Sequence, residues 1–202
     1  MSSEFNPPAR ILMGPGPSNA DPRVLLAMAK PLLGHLDPDF IRIMRRIQDE
    51  LRFVFGTKNF YTLPISGTGT LGMEAAFANI VEPGERVLIC VNGVFGERMV
   101  EIAGRCGADV RVFPQTWGLP FDPQAVEKEI QAFRPKVVAI VHAETSTGVL
   151  QPIEELAAVL KKYPETLFLV DTVTSLGGIP VKVDEWGIDV CYSGTQKCLS
   201  CP

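Results

Sequence analysis

The sequence predicts an α/β protein, a mostly parallel sheet flanked by helices in three layers (αβα), and three observations carry that prediction. Apolar runs rich in β-branched residues, such as Val137-Val138-Ala139-Ile140-Val141, alternate with amphipathic stretches along most of the chain. A run that is apolar at every position suits a strand buried on both faces, which is the environment of a parallel sheet. With 202 residues, 46% of them hydrophobic, and a mean hydropathy of +0.16, the chain can also fill one substantial core.

The elements follow in order. Asp21-Pro22 and Asp37-Pro38 each join a capping carboxylate to a first-turn proline and open helices near 22–30 and 38–55. A short strand is expected near 60–65, a helix over about 70–81, and a strand over 86–91 after the turn Glu82-Pro83-Gly84-Glu85. A helix near 95–106, a strand over 108–113, a helix from the Asp122-Pro123 cap to about 133, and a strand over 136–141 come next. A helix near 153–162 and strands over 166–170 and around 188–192 complete the series. No solenoid repeat, low-complexity segment or linker marks a second domain within the chain.

Composition also excludes partners. A formal net charge of -4 and a pI near 5.3 lack the basic footprint that nucleic acid requires. No apolar stretch approaches the roughly 20 residues of a membrane span. The opening Met1-Ser2-Ser3-Glu4-Phe5-Asn6 carries no basic and apolar leader, so a cytoplasmic protein is expected. Five cysteines, an odd number, fit reduced thiols better than a disulfide framework. Cys198-x-x-Cys201 has redox or metal spacing, but without a second pair or a nearby histidine it reads as incidental, and no metal is expected.

Ligands of an open parallel sheet sit beyond the carboxyl ends of its strands, so the chemistry is sought in the loops there. Ser66-Gly67-Thr68-Gly69-Thr70 leads into an apolar helix, and its glycines, hydroxyls and free amides suit a phosphate, although a helix capped by its own threonine reads the same. It is neither a Walker loop nor a dinucleotide fingerprint, since no acidic residue stands at a strand end some 20 residues on. In Asn92-Gly93-Val94-Phe95-Gly96-Glu97-Arg98 the ring of Phe95 either stacks on a flat heteroaromatic group or anchors its helix to the sheet. The cluster His142-Ala143-Glu144-Thr145-Ser146-Thr147-Gly148 either satisfies itself as a turn or meets a ligand. His142 itself is either a proton carrier or structural. Asp171, ending the strand that carries Leu167-Phe168-Leu169-Val170, needs a cation or hydrogen-bond donors to offset its burial. Ser193-Gly194-Thr195-Gln196-Lys197 supplies a lysine, the side chain that condenses with an aldehyde to a Schiff base, and a strand-end carboxylate holds a pyridinium nitrogen protonated. Lys197 and Asp171 together suggest pyridoxal 5'-phosphate.

The order of these loops resembles one family. The chain is similar to class V, fold type I pyridoxal-phosphate-dependent aminotransferases, and most closely to alanine–glyoxylate and serine–glyoxylate aminotransferases. The likeness runs from Gly14-Pro15-Gly16-Pro17-Ser18-Asn19 and Gly34-His35-Leu36-Asp37-Pro38 to Tyr192–Lys197, with Gly-(Ser/Thr)-Gln-Lys as its specific element. The resemblance implies that Lys197 forms the Schiff base and moves the proton, that Asp171 pairs with the pyridine nitrogen and that Phe95 stacks on the ring. It implies further that Thr68, Gly69, Thr70 and Gln196 hold the phosphate, that Thr145 lies near the phenolic oxygen and that Gly16 and Pro17 border the amino-acid substrate. Residues 1–202 would then be the N-terminal segment and most of the cofactor-binding large domain. A small domain carrying a substrate-binding arginine would lie beyond, the enzyme would be a homodimer, and its substrates would be a small amino acid (alanine or serine) and a 2-oxo acid, glyoxylate first. Two alternatives stay open: a lyase or cysteine desulfurase, which usually shows histidine where this chain has Gln196, and an inactive module that keeps only the sheet.

Overall fold

A computed structural model describes residues 6–202. Helices α1 (Pro22–Met28) and α2 (Pro38–Phe55) come first, then α3 (Gly69–Ile80), β1 (Arg86–Val91), α4 (Val94–Arg105), β2 (Asp109–Pro114), α5 (Pro123–Phe133) and β3 (Val137–Val141). They are followed by β4 (Ala143–Glu144), β5 (Val149–Leu150), α6 (Ile153–Leu160), β6 (Leu167–Asp171), α7 (Val183–Trp186) and β7 (Val190–Tyr192). Five strands form one sheet in the order β2-β1-β3-β6-β7, and each neighbouring pair is parallel.

Alternation along the strands sorts the core into two layers. Val138, Ile140, Phe168 and Val170 face α5, α6 and α7. Val87, Ile89, Val137, Ala139 and Leu169 face α3 and α4. The chain goes from β1 through α4 outward to β2, then returns across β1 to β3 and continues to β6 and β7. Right-handed crossovers running in opposite directions must put their helices on opposite faces, which is the division of α4 from α5 and α6 seen here. The reversal falls between β1 and β3, and the carboxyl end of such a sheet, near its reversal, is where ligands bind.

Predicted caps form as expected: Asp21, Asp37 and Asp122 each accept from a backbone amide two residues on, with proline in the first turn. The strand expected near 60–65 does not form. That segment is irregular, its Phe60, Tyr61, Leu63 and Ile65 are exposed, and Pro64 withholds a ladder donor; β-forming side chains without a neighbouring strand do not make one. Two features went unread in the sequence: the β4–β5 hairpin, with two residues in each strand, and α7, a single turn of four residues.

Candidate active site

The loops after β1, β3, β6 and β7 gather at one edge of the sheet. Asp171 ends β6, paired in register with Val141 and Tyr192, and is 3% exposed. Its Oδ2 accepts the Tyr192 hydroxyl at 2.8 Å and its Oδ1 the Val173 amide at 2.8 Å. Burial nevertheless dominates and pushes the carboxyl up to about 6; the two hydrogen bonds pull the other way, Glu144 raises it further, and Lys197 lowers it. A carboxylate oxygen offers two acceptor positions, so each oxygen of Asp171 retains room for a further donor, and a cationic one would restore its charge.

Lys197 lines a cavity of about 410 Å³ with Gly14, Gly16, Glu144, Thr145 and Thr174. Ser18 fastens its backbone: the Ser18 amide donates to the Gln196 carbonyl at 2.8 Å, and the hydroxyl to the Lys197 carbonyl at 2.7 Å. Gly16 lines this cavity, whereas Pro17 does not line it and is exposed. Thr145 and Thr174 join their hydroxyls across its wall, and the Cys198 thiol donates to the Thr174 carbonyl at 3.4 Å.

A second group of residues collects at the start of α3. Thr68 occupies its N-cap position without a side-chain capping bond, so the first-turn amides of Gly69 and Thr70 present positive partial charge to this edge. A Cβ on Gly69 would lie 3.4 Å from Val173 Cγ2 and 3.9 Å from the Gln196 side-chain nitrogen, which places Gln196 beside the α3 terminus. The Arg98 guanidinium reaches over from α4, donating to the Thr70 hydroxyl at 3.2 Å and lying 5.1 Å from the Phe95 ring centroid. Arg98 was quoted within its loop in the sequence but given no role, because nothing local shows that it spans two helices.

His142 follows β3 on the opposite pleat. Its ring packs edge-on against Trp186 at 5.8 Å, its Nδ1 meets no partner among the described residues, and burial lowers it to about 4. Alternation turns it toward the α5–α6–α7 layer and away from Asp171, so the structural reading applies. Glu144, by contrast, is a site residue that the sequence only hinted at. It is 1% exposed, and its two oxygens accept from the Phe95 amide at 3.1 Å, the Gly96 amide at 3.3 Å, the Ser146 amide at 3.1 Å and the Ser146 hydroxyl at 2.7 Å. Its position in a polar strand-end cluster was the available signal; its partners, 48 and 49 residues away, were not.

A larger groove of about 780 Å³ lies at the other end of the sheet, lined by Arg86, Arg134, Lys136 and Lys162. Lys136 is paired with Glu85 and Lys162 with Glu127, so both lysines there are engaged in ion pairs at the surface. The edge that holds Lys197 is therefore the candidate site.

Residues 12–202 match the model of the family "Aminotransferase class-V". The chain belongs to that family. Over 98% of its length it is 46% identical to the (S)-ureidoglycine–glyoxylate transaminase of Bacillus subtilis, covering 48% of that protein. Over its whole length it is 42% identical to the alanine–glyoxylate aminotransferase of Rattus norvegicus, covering 49%. A crystal structure of an alanine–glyoxylate aminotransferase from Nostoc sp. superposes with a TM-score of 0.97 at 50% identity, covering all of this chain and 53% of that one. The chain thus spans about half the length of the class V relatives it matches. A cysteine desulfurase from Thermococcus onnurineus, at 18% identity and TM-score 0.71, shares the fold alone. Among the described residues no helix is long and apolar enough to cross a membrane.

Proposed function

We propose that this chain is the cofactor-binding half of a pyridoxal-phosphate-dependent aminotransferase that moves an amino group from a small amino acid, alanine or serine, to a 2-oxo acid, with glyoxylate as the leading acceptor. The observation that carries the reading is Asp171: a buried carboxyl with spare acceptor room, its pKa raised to about 6, at the same sheet edge as the lysine that lines the cavity. Asp171 would hold a pyridinium N–H as that cationic donor. The glyoxylate preference is supported by the names of the two similar proteins from Bacillus subtilis and Rattus norvegicus.

The residues fit the cofactor. The α3 terminus with Thr68, Gly69 and Thr70, joined by Gln196, offers amides, hydroxyls and a helix dipole to a phosphate. Phe95 would offer its half-buried ring, Thr145 a hydroxyl at the cavity wall, and Gly16 the loop beside the substrate, whereas Pro17, expected there too, lies off the cavity. Pyridoxal phosphate supplies an electron sink for the carbanion left when a proton departs from the amino acid's Cα. Asp171 keeps the ring nitrogen charged, so its contribution is greatest where negative charge develops. Lys197 would tether the cofactor and, once free, would accept and return the Cα proton.

The domain and partner assignments belong to the same proposal. Residues 1–202 are the N-terminal segment and most of the large domain, and the substrate-carboxylate arginine comes from the small domain beyond. The whole protein would be a cytoplasmic homodimer; its association is supported by the apolar side chains that α2 and its flanking segments leave exposed, among them Leu32, Phe53, Phe60 and Tyr61. Borohydride reduction of the cofactor-loaded protein, followed by peptide mapping, is expected to fix the label on Lys197. Lys197→Ala is expected to retain cofactor and lose transamination. A colourless protein that cannot be reconstituted with pyridoxal phosphate would overturn the assignment in favour of an inactive module, and side-by-side turnover of alanine, serine and ureidoglycine by the whole protein identifies the donor.

A further inference from the structure

We infer that Glu144 is a positioning residue: its buried carboxylate, carried on β4, caps the start of α4 and thereby ties the main chain that carries the Phe95 ring to the loop that carries Thr145. The inference rests on the cofactor reading above and deepens it. α4 has no side-chain cap of its own, since Gly93 stands at its N-cap position. Its first three amides are instead met from the β4 loop, Val94 by the Ser146 hydroxyl at 3.0 Å and Phe95 and Gly96 by Glu144 Oε2. Ser146 closes the arrangement by donating both its amide and its hydroxyl to Oε1. Gly93 is extended, with φ 174, a conformation open to any residue, so its role is spatial. A Cβ there would overlap Glu144 Cγ and lie 2.5 Å from its Cδ and 2.6 Å from Ser146 Oγ.

The two helix starts at this edge are therefore treated in opposite ways. α3 leaves its first-turn amides to a ligand, whereas α4 has them consumed by an internal anion and offers a ring instead. A local asparagine or serine side chain at position 93 would cap α4 without burying a charge, which is unfavourable unless it is fully hydrogen-bonded. What the distant carboxylate adds is a link: the main chain of Phe95 and the loop of Thr145 cannot shift independently. Arg98 lies over the same ring and donates to Thr70, so the start of α4, the start of α3 and the Thr145 loop are linked to one another.

The test uses the cofactor-loaded protein. Glu144→Gln substitutes an N–H₂ for one acceptor and sets donors against donors; Gly93→Ala displaces the carboxylate without removing it; Ser146→Ala removes one hydroxyl and is the mildest change. Expected are a visible circular-dichroism band of the bound cofactor reduced at least twofold and cofactor affinity weakened about tenfold in the first two, with unchanged far-ultraviolet spectra and a smaller effect of the same kind in Ser146→Ala. Glu144→Gln combined with Gly93→Ala is expected to be no worse than either alone. In a Phe95→Ala background Glu144→Gln should add little, which a merely structural carboxylate would not show. Wild-type visible bands and affinity in both Glu144→Gln and Gly93→Ala, or an undiminished effect in the Phe95→Ala background, would overturn the inference while leaving the cofactor assignment intact. Failure of the unaltered protein to bind pyridoxal phosphate would instead remove the reading on which it rests.

Discussion

The Asp171 carboxyl holds its proton up to about pH 6 because burial outweighs two hydrogen bonds, one of them from the Tyr192 hydroxyl at 2.8 Å. Tyr192→Phe removes that donor, so the carboxyl is expected to titrate higher still, and the protein to lose about 1–3 kcal/mol by leaving a buried acceptor short of a partner. An infrared carboxyl titration and a denaturant curve measure the two effects. Native Asp171 binds its proton more tightly than the unfolded chain, whose value is near 3.8, so its contribution to stability is full below that value and is lost as pH rises toward about 6. His142 behaves oppositely. Its native value is about 4 against 6.5 unfolded, so its contribution is full above 6.5 and declines as pH falls toward 4. In cofactor-free protein, Asp171→Asn should remove the first slope and His142→Phe the second; equal pH dependence of unfolding in wild type and both variants would reject these assignments. At this scale the sequence was legible where position alone carries the meaning. A carboxylate ending an apolar strand and a lysine after Gly-Thr-Gln declare themselves, whereas Glu144 and Arg98 act on residues 28 to 49 positions away, which no local pattern encodes.

Among the elements, the best-read were those whose ends are set by their own residues, such as the Asp-Pro starts of α1, α2 and α5. The strand expected near 60–65 failed for the complementary reason, since a strand is defined by its neighbour and Phe60 to Ile65 have none. The hairpin of β4 and β5 is too short to show a period, yet its turn puts Glu144 and Ser146 under α4. How α2 joins the body is a matter of its last residue. Gly56 ends the helix at φ 61, and a Cβ there would lie 3.2 Å from the Val181 carbonyl oxygen and 3.3 Å from Lys182 Cα. The following residues hold Asp184: the Thr57 hydroxyl donates at 2.5 Å and the Lys58 amide at 2.9 Å. Gly56→Ala is expected to cost about 2 kcal/mol, combining left-handed strain with a backbone clash. A denaturation midpoint equal to wild type would show that the α2–Asp184 junction yields freely.

For the molecule as a whole, the sheet and its two layers were legible because buried parallel strands print themselves as continuous apolar runs. Residues 6–65 were less so, because their apolar side chains face outward: Ile11, Met13, Leu32, Phe53 and Tyr61 are each more than 80% exposed. Isolated residues 1–202 are therefore expected to self-associate, with sedimentation showing a concentration-dependent mass; a strict monomer at high concentration would contradict this. The reversal of winding between β1 and β3 has a kinetic consequence as well. β1, α4 and β2 are consecutive and close locally, but Glu144 reaches Phe95 only after α5 has carried the chain back across β1. Contacts of long sequence separation form late because loop closure precedes their reward. During refolding with pyridoxal phosphate present, helical signal should therefore recover before visible cofactor capture, so that the newborn protein acquires its colour last.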